Sequence, residues 1–149
     1  NLCAPTPCWI GFNDRESEGT WKWSDGSAAD FGSFPGGVAP WNPGQPDNRG
    51  WADADSDAAY MFTTTNAYVT AGTWDDNPSR RTLAFVCRDA PSPPGAPPPP
   101  RESLVLGPFD LVTEEMSWED AEAHCVQGGG HLASIHTPEE NSLAWNLCA

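Results

Sequence analysis

Positive charge is what this sequence has least of. Lys and Arg total 7 against 21 Asp and Glu, for a formal net charge of −14. A field of that sign repels nucleic acid and anionic membranes, so neither is an expected partner. It is compatible with cation binding, although a solvated acidic surface gives the same count. Long apolar runs are missing as well: none approaches the roughly 18 residues that a membrane span needs. The chain has no initiator Met and no leader, which reads as a processed or excerpted piece of a longer protein. Its Asn77-Pro78-Ser79 stretch is blocked as a glycosylation sequon by Pro78. No two cysteines have zinc-finger spacing, so a disulfide framework is expected in place of thiolate metal ligation. No nucleophile elbow or nucleophile–base pair stands out, and His124, His131 and His136 follow no metal-helix spacing. An enzyme is not expected.

What is present begins with the cysteines. There are five, Cys3, Cys8, Cys87, Cys125 and Cys148, and an odd count leaves one over or implies pairing with another copy. Residues 1–4 and 146–149 both read Asn-Leu-Cys-Ala, so the second copy starts 145 positions after the first. Read as one element seen twice, the chain is a single period of a tandem repeat. Cys148 is then Cys3 of the following copy, the odd cysteine disappears, and Cys3 and Cys8 are close enough to close a small loop. The junction is physically sensible. Thr137 can cap a helix, Pro138 suits its first turn, Glu140 completes a capping box, and Leu143, Ala144 and Leu147 follow at helical spacing.

Residues 91–100, Pro-Ser-Pro-Pro-Gly-Ala-Pro-Pro-Pro-Pro, cannot enter a helix or sheet interior. They predict a polyproline II rod of roughly 30 Å, within a linker over 88–103. Ser92, Pro93, Pro94, Pro97, Pro98, Pro99 and Pro100 are candidate glycosylation positions, by compositional resemblance to hydroxyproline-rich wall glycoproteins. Before the linker, Trp9–Phe12, Trp21–Trp23, Ala59–Phe62, Ala67–Val69 and Leu83–Cys87 predict short strands between long turns. After it, Leu104–Leu106 and Phe109–Val112 predict strands. Ser117 then caps a helix with Trp118, Ala121 and Cys125 on one face, ended by Gly128-Gly129-Gly130. Leu132–Ile135 is a short apolar piece ahead of the second helix.

Read as 105–149 followed by 5–87, this order resembles a C-type lectin-like domain. Ser117 through Cys125 is similar to the family's first helix, and Gly129 through Ile135 with Glu139-Glu140-Asn141 to the lead into its second. Trp9-Ile10-Gly11-Phe12 is similar to its core strand, Glu18 through Gly26 to the turn and strand that follow, and Phe85-Val86-Cys87 to its closing strand. The resemblance implies an α+β fold of two helices and small antiparallel sheets with long loops, with Trp9, Trp21, Trp23 and Trp118 in the core. It implies residues 1–87 as the C-terminal part of the domain and 104–149 as the N-terminal part. It also implies a Cys87–Cys125 disulfide, formed within one folded-back chain or between consecutive repeats; the terminal overlap favours repeats. The family's second disulfide would fall near Ala58 and Ser79, and neither is cysteine.

Trp41 through Asp47 and Trp74-Asp75-Asp76 are similar to the family's two site-bearing segments, and Gln45-Pro46-Asp47 is the sharpest signal among them. Calcium takes six to eight oxygen ligands, and a side-chain amide and a carboxylate two residues apart can aim two of them at one ion. Similar lectins use a cis peptide at this proline. Asp53, Asp55 and Asp57 alternate and would share one face of an extended segment. The family places a Glu and an Asp where Ser56 and Asp57 stand, so Asp55 would have to substitute for the missing carboxylate. The expected calcium ligands are Gln45, Asp47, Asp57, Asp75 and Asp76. The expected sugar contacts are Gln45, Asp47, Asp55, Asp75 and Asp76, with Trp51 as the stacking ring. The Gln-Pro-Asp order resembles galactose-type sites. The same aspartates could instead cap turns in a Gly/Asn-rich loop. The expected role is an extracellular structural repeat of a fibre, sheath or cell wall, whose partners are copies of itself and glycans. A calcium-dependent galactose-type adhesin of one permuted domain is the alternative.

Overall fold

Alternate residues of the apolar runs divide between the two faces of one sheet. The computed structural model describes residues 7–31, 40–49, 55–89 and 107–149. Among these, the strands are β1 (Cys8–Asn13), β2 (Lys22–Trp23), β3 (Ala58–Met61), β4 (Trp74–Asn77), β5 (Leu83–Asp89), β6 (Phe109–Met116) and β7 (Gly130–Leu132). The helices are α1 (Trp118–Gln127) and α2 (Pro138–Cys148). The strand order is β4-β3-β1-β5-β6, with β2 added to β1 and β7 to β5. β1 and β5 run parallel and the other pairs antiparallel, which makes the sheet mixed. The class is the α+β arrangement that the resemblance implies, but one mixed sheet stands where small antiparallel sheets are expected, because β5 pairs parallel to β1.

On one face lie Cys8, Ile10, Phe12, Ala59, Met61, Ala84 and Val86; on the other lie Trp9, Ala58, Tyr60, Leu83 and Phe85. That is the period of two of a strand buried on both sides. Helix α1 covers the second face with Trp118, Ala121 and Cys125, three and four residues apart and so on one stripe. Helix α2 covers the first face with Ala144, where Phe12 packs against Trp23 at 4.5 Å and Trp74 at 5.7 Å between ring centroids. Two indoles also bind backbone across the molecule: Trp118 Nε1 donates to Ile10 O at 2.9 Å, and Trp9 Nε1 to Met116 O at 3.1 Å and Arg81 O at 3.2 Å. Buried indole N–H groups need such partners. Trp9, Trp23 and Trp118 are buried and Trp21 packs against the core, so all four serve the fold as expected.

The two halves of the sequence close on each other within this chain. β5, from the first half, pairs with β6 and β7 from the second. Cys87 is bonded to Cys125, with Cα atoms 5.5 Å apart. Arg88 holds Glu140 through both guanidinium nitrogens at 2.9 Å. A polar seam continues around the loop after β2. Ser134 Oγ and Ser27 Oγ each bond Asp25 at 2.5 Å, and His136 Nδ1 meets Asp30 at 2.7 Å. Ser27 Oγ also lies 3.0 Å from His136 Nε2. The order Ser27–His136–Asp30 imitates a nucleophile relay, but the serine proton is committed to the Asp25 carboxylate, which its hydrogen bonds hold below the usual range against the opposing effect of burial. The other histidines are also engaged, His131 with Glu122 at 2.5 Å and His124 edge-on to Phe85.

Several expectations change. Cys8 is bonded to Cys148, with Cα atoms 6.2 Å apart, so the Cys3–Cys8 loop does not form in this fold; Cys3 itself lies outside the described residues. Ala67–Val69 is not a strand, because the Asn66 side chain accepts from Tyr68 N and Val69 N and folds the segment into a turn. β5 continues to Asp89, two residues into the expected linker; the proline run, its candidate glycosylation positions and Leu104–Leu106 lie outside the described residues. Ser117 and Thr137 cap their helices as expected, but Glu140 reaches back to His136 N at 2.8 Å, one residue before the cap. Where the family's second disulfide is absent, Ser79 is held by Trp118 N donating to its carbonyl and by its own hydroxyl donating to Glu119.

Gly11 shows how tightly the halves meet. Its N–H donates to Ala133 O, its carbonyl accepts from Ser24 N, and a Cβ there would lie 2.7 Å from both Leu132 O and Ser24 Oγ. The first of those contacts is fixed backbone. Gly11→Ala is expected to destabilise the fold by about 1–3 kcal/mol, read as a lower denaturant midpoint at unchanged slope.

Candidate functional site

The long excursion between β2 and β3 returns along the sheet edge at β4, and acidic side chains collect there in two groups. The first is built on Gln45-Pro46-Asp47, whose Gln45–Pro46 peptide is cis. Trp41 bridges to Trp74 and Asn42 N donates to Trp74 O, which anchors the start of the loop on β4. Asp76 anchors its middle: Oδ1 accepts from Asp47 N at 2.9 Å and Oδ2 from Asn48 N at 2.7 Å. Asp76 is therefore a buried brace first, and a candidate ligand only through its remaining lone pairs. Asn48, in the left-handed region at φ 51°, accepts from Ser56 N at 2.8 Å and ties the loop to the approach of β3.

Asp75 points to the other side of β4, where Tyr60 Oη donates to it at 2.9 Å from the facing position of β3. Burial pushes the Asp75 carboxyl up to about 6, the Tyr60 hydrogen bond opposes this, and the Asp76 and Asp47 carboxylates add to it. Burial and the same carboxylate also push the Tyr60 phenol up, so it stays a donor. Asp76 is raised by burial, against the two loop N–H groups that favour its charge.

The second group consists of Asp14, Glu18 and Asp57, whose ligand atoms all lie within 4.8 Å of one another. It forms because Asn13 faces Ala58 in the β1–β3 register, which sets Asp14 beside Asp57; Asp14 N donates to Asp57 O. A turn closed by Gly19 N on Asp14 Oδ2 at 2.8 Å then folds Glu18 back over the pair. Burial raises all three carboxyls, and Asp55 raises each further by its charge. Asp57 thus belongs with Asp14 and Glu18, and not with the Gln45 loop, and the charge of Asp55 acts on all three. Gln45, Asp47 and Asp76 meet at the loop, whereas Asp75 faces Tyr60 on the other side of β4. Trp51 and Asp53 lie outside the described residues. Sequence reasoning missed Asp14 and Glu18; the available signal was a carboxylate pair four residues apart in the turn that ends a core strand.

Both places offer oxygens to a hard cation, and among the described residues the second gathers three carboxylates within reach of one ion. Each carries a buried oxygen without a hydrogen-bond partner, Gln45 Oε1 in the first and Asp14 Oδ1 in the second. A buried acceptor left unpaired is costly, and an ion that takes oxygen ligands removes the cost at both. Asp47, exposed at the loop surface, completes the first group with a carboxylate open to solvent.

The raised carboxyls make stability pH-dependent. Asp75 binds its proton more tightly folded than unfolded, so its contribution is full below its ordinary value of 3.8 and is lost as pH rises to about 6. With divalent ions chelated, the denaturant midpoint is expected to fall between pH 4 and 6.5, and Asp75→Asn to flatten that fall. A midpoint that rises over the same interval contradicts the assignment.

Among the described residues no helix is long and apolar enough to cross a membrane. The family described as Lectin C-type domain matches residues 3–89. C-type mannose receptor 2 of Homo sapiens is 28% identical over 145 residues, which cover 89% of this chain and 9% of that protein. Its Rattus norvegicus counterpart is 30% identical over the same span and shares. A C-type lectin of Micrurus corallinus is 31% identical over 80 residues, 54% of this chain and 42% of that protein. The chain therefore spans under a tenth of the length of the mannose receptor relatives. The match takes in more than half of the chain, and the two helices, the mixed sheet and the Cys87–Cys125 bond stand around it: the chain belongs to the C-type lectin domain family.

Proposed function

We propose that this domain binds glycans through calcium held by Gln45, Asp47 and Asp76, with Asp75 as the further ligand that the sequence suggests, outside the cell, and is not an enzyme. The observation that carries the reading is the unpartnered Gln45 Oε1 beside Asp47 on a loop that Asp76 clamps to β4. An ion there would present open coordination positions to two neighbouring sugar hydroxyls. The Gln-Pro-Asp order supports galactose-type selection, with Asp55 and Trp51 as the further contacts that the sequence suggests. Asp14, Glu18 and Asp57 would hold a second calcium, which stiffens the β1–β3 end of the same loop. The disulfides support an oxidising, extracellular setting. Calorimetry should show calcium-dependent binding of galactose in preference to mannose, abolished by EGTA. Asp47→Asn should remove sugar binding and one calcium, whereas Asp14→Asn should remove the other calcium and weaken the sugar less. Sugar binding unchanged in EGTA would sink the reading.

A second reading has its own support: the domain is one bead of a tandem array that builds a fibre, sheath or wall. Asp89 N donates to Pro108 O at 3.0 Å, so the segment 90–107 begins and ends at neighbouring strands. A polyproline II stretch of ten residues would extend roughly 30 Å and suits a spacer between beads better than a return to its origin. Cys148 at the end of α2 meets Cys8 at the start of β1, and the repeated Asn-Leu-Cys-Ala supplies a direct join there. The test is the intact mass of the native protein, reduced and deglycosylated. The array predicts a mass well above the 16.0 kDa of this chain, built up in 145-residue periods, and a peptide running from Trp145 to Trp9 through one Asn-Leu-Cys-Ala. A mass near 16 kDa excludes it.

A further inference from the structure

The turn between β4 and β5 carries a concentration of positive charge that the acidic chain does not spend elsewhere. Arg80 and Arg81, with Asn77 and Pro78, line a cavity of about 450 Å³. Three other described cations have carboxylate partners: Arg15 with Glu119, Lys22 with Glu16 and Arg88 with Glu140. Arg80 has neither an ion pair nor a hydrogen bond among the described residues. Arg81 lies over the Tyr60 ring at 5.6 Å and reaches Asn77 Oδ1 only at 3.5 Å, so its stacking is fixed while most of its N–H groups stay open. Glu119, the carboxylate nearest the turn's own hydrogen bonds, is already taken by Ser79 Oγ and Arg15.

The turn is held rigidly. Pro78 is buried, Arg81 N closes on Pro78 O at 3.0 Å, and Trp118 N and Trp9 Nε1 grip the carbonyls of Ser79 and Arg81. The cavity also adjoins Asp75, the residue next to Asp76 of the proposed calcium site. Tyr60, under Arg81, is the residue that hydrogen-bonds Asp75, and Asn77 follows Asp75 by two along β4, on the same side of the strand.

We infer that the Arg80–Arg81 cavity is a subsite for an oxyanion carried by the bound glycan, a sulfate ester or a uronate carboxylate. A planar guanidinium offers paired N–H donors that match either group. At physiological ionic strength the screening length is about 8 Å, so the distant carboxylates of the net −14 charge weigh less at the cavity than the two arginines lining it. The subsite rests on the calcium–glycan reading for its position but not for its chemistry.

The test uses the full chain in calcium buffer with three probes: galactose, galactose 6-sulfate and galacturonic acid. One charged sugar is expected to bind roughly tenfold more tightly than galactose or better, and which one does so identifies the oxyanion. Replacing both exposed arginines, Arg80→Gln with Arg81→Gln, should bring that sugar to the affinity of galactose and leave galactose unchanged. Equal affinity for all three probes, or a preference that survives the double substitution, overturns the subsite while the lectin reading stands. A charged-sugar preference that persists in EGTA and disappears with the arginines keeps the subsite and removes the calcium reading. Loss of all three on wild type removes both.

Discussion

The structure depends on β5. It is the only described strand that pairs with elements from both halves of the sequence, parallel to β1 on one side and antiparallel to β6 and β7 on the other. Its alternate side chains fill both cores at once: Ala84 and Val86 under α2, Leu83 and Phe85 under α1. Its last residues then fasten the helices, Cys87 to α1 by a disulfide and Arg88 to α2 by a two-point ion pair. The Cys87–Cys125 bond closes 38 residues of sequence and the Cys8–Cys148 bond 140. On chain-entropy grounds loops of such lengths are worth about 3–5 kcal/mol each. Two edges of the assembly are thus covalent, and the strand between them is buried on both faces.

That rigidity lets the loop side of the molecule hold unfavourable chemistry. Burial pushes up five carboxyl groups, those of Asp14, Glu18, Asp57, Asp75 and Asp76, in a chain already rich in negative charge. A fold that left these groups in water would be more stable without ions. Their cost is carried by the aromatic core beneath, where Phe12, Trp23, Trp41 and Trp74 pack ring to ring. A cation gains what the fold has spent, because neutralising buried carboxylates and capping orphaned oxygens returns stability in proportion to binding.

How much of this was legible depended on how far apart in sequence the cooperating residues stand. Both helices announced themselves through Ser117 and Thr137 because a cap is a relation within four residues. The tie between the Gln45 loop and Asp76 was within reach because both ends sit in short motifs, although Asp75 of the same motif turns to Tyr60. The Asp14–Glu18–Asp57 group was not, since it exists only through the β1–β3 register, and no pattern in the chain says that Asn13 faces Ala58. For the same reason Cys8 looked like a partner for nearby Cys3, whereas packing of α2 delivers Cys148 to it. The Ala67–Val69 run failed as a strand because a single asparagine side chain offers two backbone N–H groups a closer partner than a sheet does.

The same geometry explains why the fold tolerates either covalent order of its two halves. A fold fixes which strands and helices are neighbours; the covalent order matters only where a connection must bridge a distance. Here both critical junctions are short. The end of α2 and the start of β1 lie 6.2 Å apart at Cys148 and Cys8, and the end of β5 and the start of β6 are joined by a hydrogen bond at Asp89 and Pro108. Either pair can be linked by a handful of residues, so cutting the chain at one and tying it at the other leaves every buried contact in place. What the order does change is mechanical. With α2 continuous into β1, each domain is closed by its own backbone and the proline-rich segment is free to act as a spacer. With β5 continuous into β6, that segment must double back on itself, and the disulfide at Cys8 alone holds the far junction. The choice between the two arrangements is made by the length of the polypeptide, not by the fold.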